Sequence, residues 1–314
     1  SKMENCLIRY GGNSPGQEPS GIIWVDGSSV EIKNSIIEKF IVRGLRLTNS
    51  ASNIENSIIQ NGLGEAITIE GGAPTVKNSV FKSTQGIYIG NKSKTQLINN
   101  NFENINNSLG VILVENSNPV LKNNSSASST LNGIHLIGSV NEDWQWYKND
   151  NLPYIILNFE IASSSTLTIE PEVVIKFTRS GPITPGFVGK PGKLEIKGTL
   201  QTKETSTPIV FTSIDDNYGG DTLNDGATTT VGYWNRIHFH PTSQNSYLKN
   251  VRISYGGVTG DQTPCRGVVW VENAIVSFQE VYLKENFGKD CIFKEDFFIS
   301  TLTTETDKEY YFPE

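Results

Sequence analysis

The residues best suited to chemistry gather in one stretch, Asp215-Asp216-Asn217-Tyr218-Gly219-Gly220-Asp221-Thr222-Leu223-Asn224-Asp225-Gly226. Calcium takes about six to eight oxygen ligands from carboxylates, amides and carbonyls, and glycine permits the sharp turn such a loop needs. Asp215, Asp216, Asp221, Asn224 and Asp225 carry oxygens of that kind, and Gly226 follows them. The expectation is a structural Ca²⁺ clamp on a long insertion. Leu223 interrupts the run of oxygen ligands, so a solvated acidic loop is the other reading. Nearby, His238 and His240 flank Phe239 and share one face of an extended strand, an arrangement that can hold a transition metal. Spacing identifies no third ligand, so the pair reads as two surface histidines.

Trp144, Trp146, Tyr147 and Tyr154 lie within eleven residues. Exposed aromatic faces stack on sugar rings, and Asn141, Asp143 and Gln145 beside them offer partners for hydroxyls, so the four form a candidate carbohydrate-binding site. The alternative is that they pack a junction in an irregular part of the core. No Ser/His/Asp order, phosphate loop or zinc motif appears, and no carboxylates pair at general acid–base spacing. The expectation therefore leans against an enzyme.

These residues are carried on a repeat of about two dozen residues. An apolar residue followed by Asn recurs at Ile32/Asn34, Ile54/Asn56, Val76/Asn78, Leu97/Asn99 and Leu121/Asn123, with Asn spacings of 22, 22, 21 and 24. A small residue opens a short strand at Gly44, Ala66, Gly86, Gly110 and Gly133. Each strand alternates apolar and variable residues, and no longer stretch holds a helical pattern. Coils of this length with two or three short strands predict an all-β, right-handed parallel β-helix of roughly a dozen coils, each strand pairing with its counterpart about 4.8 Å away. The asparagines then stand at corners, where Asn tolerates the left-handed conformation and can ladder by its amide.

Three inward rows follow: Leu45, Ile67, Ile87, Val111 and Ile134; Leu47, Ile69, Ile89, Leu113 and Leu136; and Ile8, Ile37, Ile59, Phe81 and Phe102. Trp24 and Trp270 align with the second row and are expected in or near the core. Arg46, Thr68, Tyr88, Ile112 and His135 are expected outward. Leu7, Ile36, Ile58, Val80 and Asn101 also point outward although four are apolar, so either something covers this stripe or the register is one residue off.

A second, longer period of 245 residues relates Asn5, Tyr10-Gly11-Gly12 and the start of the chain to Asn250, Tyr255-Gly256-Gly257 and the region from Ser246. Residue 1 thus falls inside a repeat, and the natural protein is expected to continue upstream, where a signal peptide would lie. The chain reads as one elongated domain over residues 1–314: regular coils over 1–140, coils with larger insertions over 141–245, and over 246–300 the start of a second copy of the 1–50 region. Composition agrees, with 36% hydrophobic and 19% charged residues. The net charge of −7 argues against nucleic acid, and no apolar run is long enough to span a bilayer. Cys6, Cys265 and Cys291 are odd in number and lack metal spacing, and Cys6 is read as a small buried residue.

The elements LTIEPEVVIKF, LEIKGTL, TPIVFTS, YWNRIHF and LKNVRISYGG, between Leu167 and Gly257, resemble a module of bacterial secreted and cell-surface β-helix proteins. Residues 1–140 resemble the repeat shared by pectate-lyase-like proteins. The resemblance implies a secreted or cell-surface bacterial location and neighbouring repeats of the same protein. Adhesins and polysaccharide-active proteins both carry such modules. The leading expectation is a non-catalytic surface or adhesin module contacting polysaccharide or cell-wall glycan. A polysaccharide lyase or glycoside hydrolase working in the groove, and a purely structural stalk, are the alternatives. In β-helix lyases a face like that of Arg46 to His135 holds the substrate, but no acidic cluster accompanies it here.

Overall fold

The structure is a computed structural model and describes residues 1–12, 21–204, 206–226, 229, 233–257 and 267–286, together with the backbone of the Ile292–Lys294 and Thr301–Leu302 strands. Every regular element among them is a β-strand. They form two compact units, one of Ser1–His135, Asn149–Leu152 and Thr222–Asn224, the other of Leu136–Lys148, Pro153–Asp221 and Asp225–Glu314.

In the first unit each coil gives one strand to each of three parallel arrays. The first array runs Lys2–Glu4, Glu31–Lys33, Asn53–Glu55, Thr75–Lys77, Gln96–Ile98, Val120–Lys122. The second runs from Leu7–Arg9 to Ser125–Ala127, and the third passes through Ile23–Asp26, Arg43–Ser50, Glu65–Gly72, Ile87–Gly90 and Ile112–Glu115. Strand pairing in register stacks like residue on like. Ile8, Ile37, Ile59, Phe81 and Phe102 form one interior row, with the rings of Phe81 and Phe102 stacked at 4.8 Å. The residues just before them, Leu7, Ile36, Ile58 and Val80, do point outward, so the register of the apolar stripe holds.

The third array departs from expectation by one residue. Ile87 pairs with Ile112 and Ile89 with Val114, so Ile112 and Val114 face inward and Leu113 takes the outward place beside Tyr88. Trp24 likewise pairs with outward Arg46 while Ile23 and Val25 pair with inward Leu45 and Leu47; Trp24 is 47% exposed. Trp270 pairs with His238 between buried Val269 and Val271. One cause covers all three. Gly44 and Gly86 stand immediately before the first inward residue, whereas Gly21, Gly110 and Gly267 have one more residue in between. Alignment on the glycine therefore places those strands one residue early, and with a period of two every side chain changes face.

Asn34, Asn56, Asn78, Asn99 and Asn123 all have φ between 49° and 55°, the left-handed corner conformation. The continuous hydrogen-bonded ladder, however, is built by the residues that follow them. The N–H of Ser35, Ser57, Ser79, Asn100 and Asn124 donates to the side-chain oxygen of Ser57, Ser79, Asn100, Asn124 and Asn149 respectively, at 2.9–3.2 Å. The left-handed corner turns the next residue inward, where a buried N–H needs an acceptor. Cys6 starts the same ladder by donating its N–H to Ser35 Oγ and is half-buried rather than buried. Cys265 and Cys291 lie outside the described residues.

In the second unit the strands Tyr154–Ile161, Lys193–Ile196, Arg236–Phe239 and Val269–Val271 pair in parallel. Phe159, Leu194, Ile237 and Val269 form one buried row, and Ile161, Ile196, Phe239 and Val271 the next. The residues between these rows therefore face outward together. Gly181–Thr184 and Phe187–Gly189 pair as an antiparallel hairpin.

Candidate functional site

The outward row between the two buried ones is Glu160, Glu195, His238 and Trp270, one residue per coil. Two residues earlier along the strands stand Asn158, Lys193 and Arg236; two residues later stand His240 and Glu272. Plain alternation produces this face: Lys-Leu-Glu-Ile-Lys and Arg-Ile-His-Phe-His put every polar residue on one side. Glu195 Oε2 lies 2.9 Å from His238 Nδ1 and 2.8 Å from His240 Nε2. The other Glu195 oxygen pairs with Lys193 Nζ at 2.6 Å. His238 Nε2 meets Glu272 Oε2 at 3.1 Å, and its ring lies on Trp270 at 4.0 Å and 4°. Arg236 sits 5.1 Å from the Trp270 ring centroid.

Burial pushes the Glu195 carboxyl up, but hydrogen bonds from His238, Lys193 and His240 outweigh it and hold the group well below the usual carboxylate range. Glu195 is thus an anion poised between three nitrogen groups. Beside it opens a cavity of about 500 Å³. Its lining is Gly138, Ser139, Asn158, Glu160, Lys193, Glu195, Lys197, His238 and His240, with no apolar side chain. Lys197 pairs with Glu160 at 2.8 Å. The reading of His238 and His240 as surface residues without a third ligand is corrected here. His238 is 7% exposed, and Glu195 is the third group, brought in by strand pairing from 43 and 45 residues away.

A family model described as "Right handed beta helix region" matches residues 20–143. The fold is a right-handed parallel β-helix. Neither the curated proteins nor the solved structures contain a match to the chain.

The acidic loop of the β-helix is arranged around a side chain. Lys176, fully buried, donates its ammonium to the carbonyls of Asp216 and Gly220 at 2.5 and 2.7 Å. Asp215 accepts from Arg179 Nε at 2.7 Å, and Asp216 accepts from the Thr212 hydroxyl and the Tyr218 N–H. Asp221 accepts the Gly226 N–H, while the Asn224 amide donates to the Ser129 carbonyl. Among the described residues, the metal-type ligand atoms that converge in a group of three are those of Glu195, His238 and His240 rather than Asp215, Asp216, Asp221 or Asp225. Lys176 thus sets a side-chain ammonium against two backbone carbonyls of this loop.

Burial pushes the Lys176 ammonium down to about 8, against the pull of Asp216, Asp221 and Asp215. In the unfolded chain a lysine keeps its proton to about pH 10.4, so between the two values the unfolded state binds more protons and stability rises with pH. The urea-midpoint difference between wild type and Lys176→Met is therefore expected to shift in favour of wild type from pH 8 to pH 10. Millimolar Ca²⁺ or a chelator should move neither midpoint. A Ca²⁺-dependent rise in the wild-type midpoint would restore the ion to the loop.

The aromatic segment is interior. Trp144, Trp146 and Tyr154 are buried, with Trp146 stacked on Tyr154 at 4.6 Å and edge-on to Trp144 at 5.6 Å. Trp144 and Trp146 pair with inward Leu167 and Ile169, which is why their faces are closed to a sugar. Tyr147 is the partly exposed member, its hydroxyl donating to Gln145.

The outward row of the first unit is also altered. Thr68 and His135 are buried; Arg43 Nε donates to the Thr68 hydroxyl, and His135 Nδ1 lies 2.9 Å from the Leu109 carbonyl. Burial pushes His135 down to about 4. Acidic residues do accompany this face: Glu70 pairs with Arg46 at 2.9 Å, and Glu115 accepts from Tyr88 at 2.6 Å.

Proposed function

We propose that this chain is a secreted or cell-surface bacterial β-helix that binds polysaccharide along the outward face around Glu195. The observation that carries the reading is the cavity of about 500 Å³ lined by charged, amide, hydroxyl and glycine residues with no apolar side chain. Most small-molecule pockets are largely apolar with a few polar groups. A lining that is polar throughout suits a ligand whose surface is mainly hydroxyls or carboxylates. Asn158, Lys193 and Lys197 offer donors, and Glu160 and Glu195 offer acceptors, across adjacent coils. An extended sugar chain can meet the same chemistry coil after coil.

The test is a titration of soluble neutral and acidic polysaccharides by calorimetry and affinity electrophoresis. Asn158→Ala and Lys197→Ala should each weaken binding about tenfold, the scale of one lost hydrogen bond to a charged or amide group. A chain that binds none of the panel is a spacer, and the proposal fails.

A second reading, cleavage of the polysaccharide in the same groove, is favoured by Glu195 standing between two histidines at the cavity wall. Reducing ends or unsaturated-product absorbance that appear with wild type and vanish in Glu195→Gln would assign the chain to the enzymes.

A further inference from the structure

We infer that Glu195, His238 and His240 form a binding site for a divalent transition-metal ion of the zinc class. The first support is convergence. Glu195 Oε2, His238 Nδ1 and His240 Nε2 lie within 4.8 Å of one another, with 2.9 and 2.8 Å separating the carboxylate oxygen from the two nitrogens. Zinc bonds imidazole nitrogen and carboxylate oxygen at about 2.0–2.2 Å, so these three donors stand close enough to share one ion after a small side-chain adjustment. Donor type supplies the second support. Two imidazoles and one carboxylate suit zinc, cobalt, nickel or copper; calcium and magnesium prefer all-oxygen shells.

The surroundings are those of a built site. Metal-bound imidazoles almost always hydrogen-bond through their second nitrogen to a carboxylate or carbonyl, which fixes the ring. His238 does so through Nε2 to Glu272 Oε2 at 3.1 Å, and its ring is held flat on Trp270 at 4.0 Å. Lys193 holds the free oxygen of Glu195 at 2.6 Å, leaving Oε2 to the histidines. Strand pairing sets Glu195 directly opposite His238, so the backbone ladder rather than a loop fixes the spacing. All three ligands line the cavity, which puts the open coordination position on the groove side. Three protein ligands with one open position are the arrangement of zinc sites that act on a ligand, whereas purely structural zinc is closed by four.

This inference stands apart from the polysaccharide proposal, because the test uses metal alone. Untagged full chain, stripped with a chelator, is titrated with Zn²⁺ by calorimetry and with Co²⁺ by visible absorption. One Zn²⁺ per chain and the visible bands of nitrogen/oxygen-ligated Co²⁺ are expected. His240→Gln and Glu195→Gln should each weaken Zn²⁺ binding at least about a hundredfold, and Glu272→Gln, a positioning change, about ten- to a hundredfold. Far-UV circular dichroism and melting without metal confirm that each variant is folded; His240 is the more exposed of the pair, so its substitution leaves the core intact. The chain has three histidines, and His135→Gln should retain wild-type affinity. Absence of Zn²⁺ binding to wild type, or equal binding by wild type and a folded His240→Gln/Glu195→Gln double variant, overturns the inference and leaves a hydrogen-bonded His–Glu–His cluster.

Discussion

Asn124→Ala should lower the unfolding free energy by roughly 3 kcal/mol or more, because it strands several buried polar groups that cost about 1–3 kcal/mol each. Asn124 is fully buried. Its Oδ1 accepts from both the backbone N–H and the side-chain amide of Asn100, at 3.1 and 3.0 Å. Its own amide donates to the Leu97 carbonyl and to Asn149 Oδ1, both at 2.9 Å. Alanine removes all four contacts, and the space it leaves is too hemmed in by neighbouring coils to be resolvated freely. Serine is the informative control. At Ser35, Ser57 and Ser79 a hydroxyl alone accepts the N–H from the preceding coil. Asn124→Ser should therefore recover about half of the loss by accepting the Asn100 N–H. Urea denaturation followed by far-UV circular dichroism measures both. If alanine costs less than about 1 kcal/mol, or if serine is no better than alanine, the ladder is not what fixes this corner.

The ladder shows where sequence reasoning reaches and where it stops. Recurrent asparagines mark the corners because a left-handed φ is rare for other residues, and five of them adopt it. The residue that does the hydrogen bonding changes from Ser to Asn along the row, so its type does not repeat and its signal is diluted. The parallel coils and the row from Ile8 to Phe102 were legible because β-branched and aromatic residues recur at a near-constant spacing. Trp24, Trp270 and Ile112 were placed on the wrong face because one added residue before a strand inverts its alternation, and a sequence alignment anchored on glycine cannot see it.

The site was less legible for a related reason. His238-Phe239-His240 was visible as a pair, but its partner Glu195 is 43 residues from His238, a coil lengthened by insertions. No fixed local spacing can announce such a ligand; the parallel register Glu195 to His238 creates it. One signal was present. Lys193-Leu-Glu-Ile-Lys197 and Arg236-Ile-His-Phe-His240 share a charged-apolar-charged alternation, and overlaying the two puts Glu195 on His238. In the acidic loop the opposite happened. Its side-chain oxygens were conspicuous in sequence, while Lys176, which donates to the Asp216 and Gly220 carbonyls, comes from a strand 40 residues earlier than Asp216.

Trp146→Ala should cost about 3–5 kcal/mol, the range for deleting a buried aromatic side chain. The ring is fully buried, stacked on Tyr154, edge-on to Trp144 and within 6.3 Å of the Phe159 ring centroid. Its removal also loosens Tyr154, whose hydroxyl donates to the Tyr147 carbonyl and accepts the Tyr147 N–H, clasping the 147–154 turn. Near-UV circular dichroism should lose the bands of the coupled indoles, and the urea midpoint should fall. Trp146→Phe keeps a ring against Tyr154 and should cost less than half as much. Trp24→Ala, at a 47% exposed position, should change stability by less than about 1 kcal/mol. The same variants separate the two roles once assigned to the aromatic segment. A core residue changes stability and leaves ligand affinity alone, so folded Trp146→Phe should bind polysaccharide as wild type does. If it bound more weakly while keeping its midpoint, the segment would lie at the ligand, and the groove around Glu195 would not be the whole binding face.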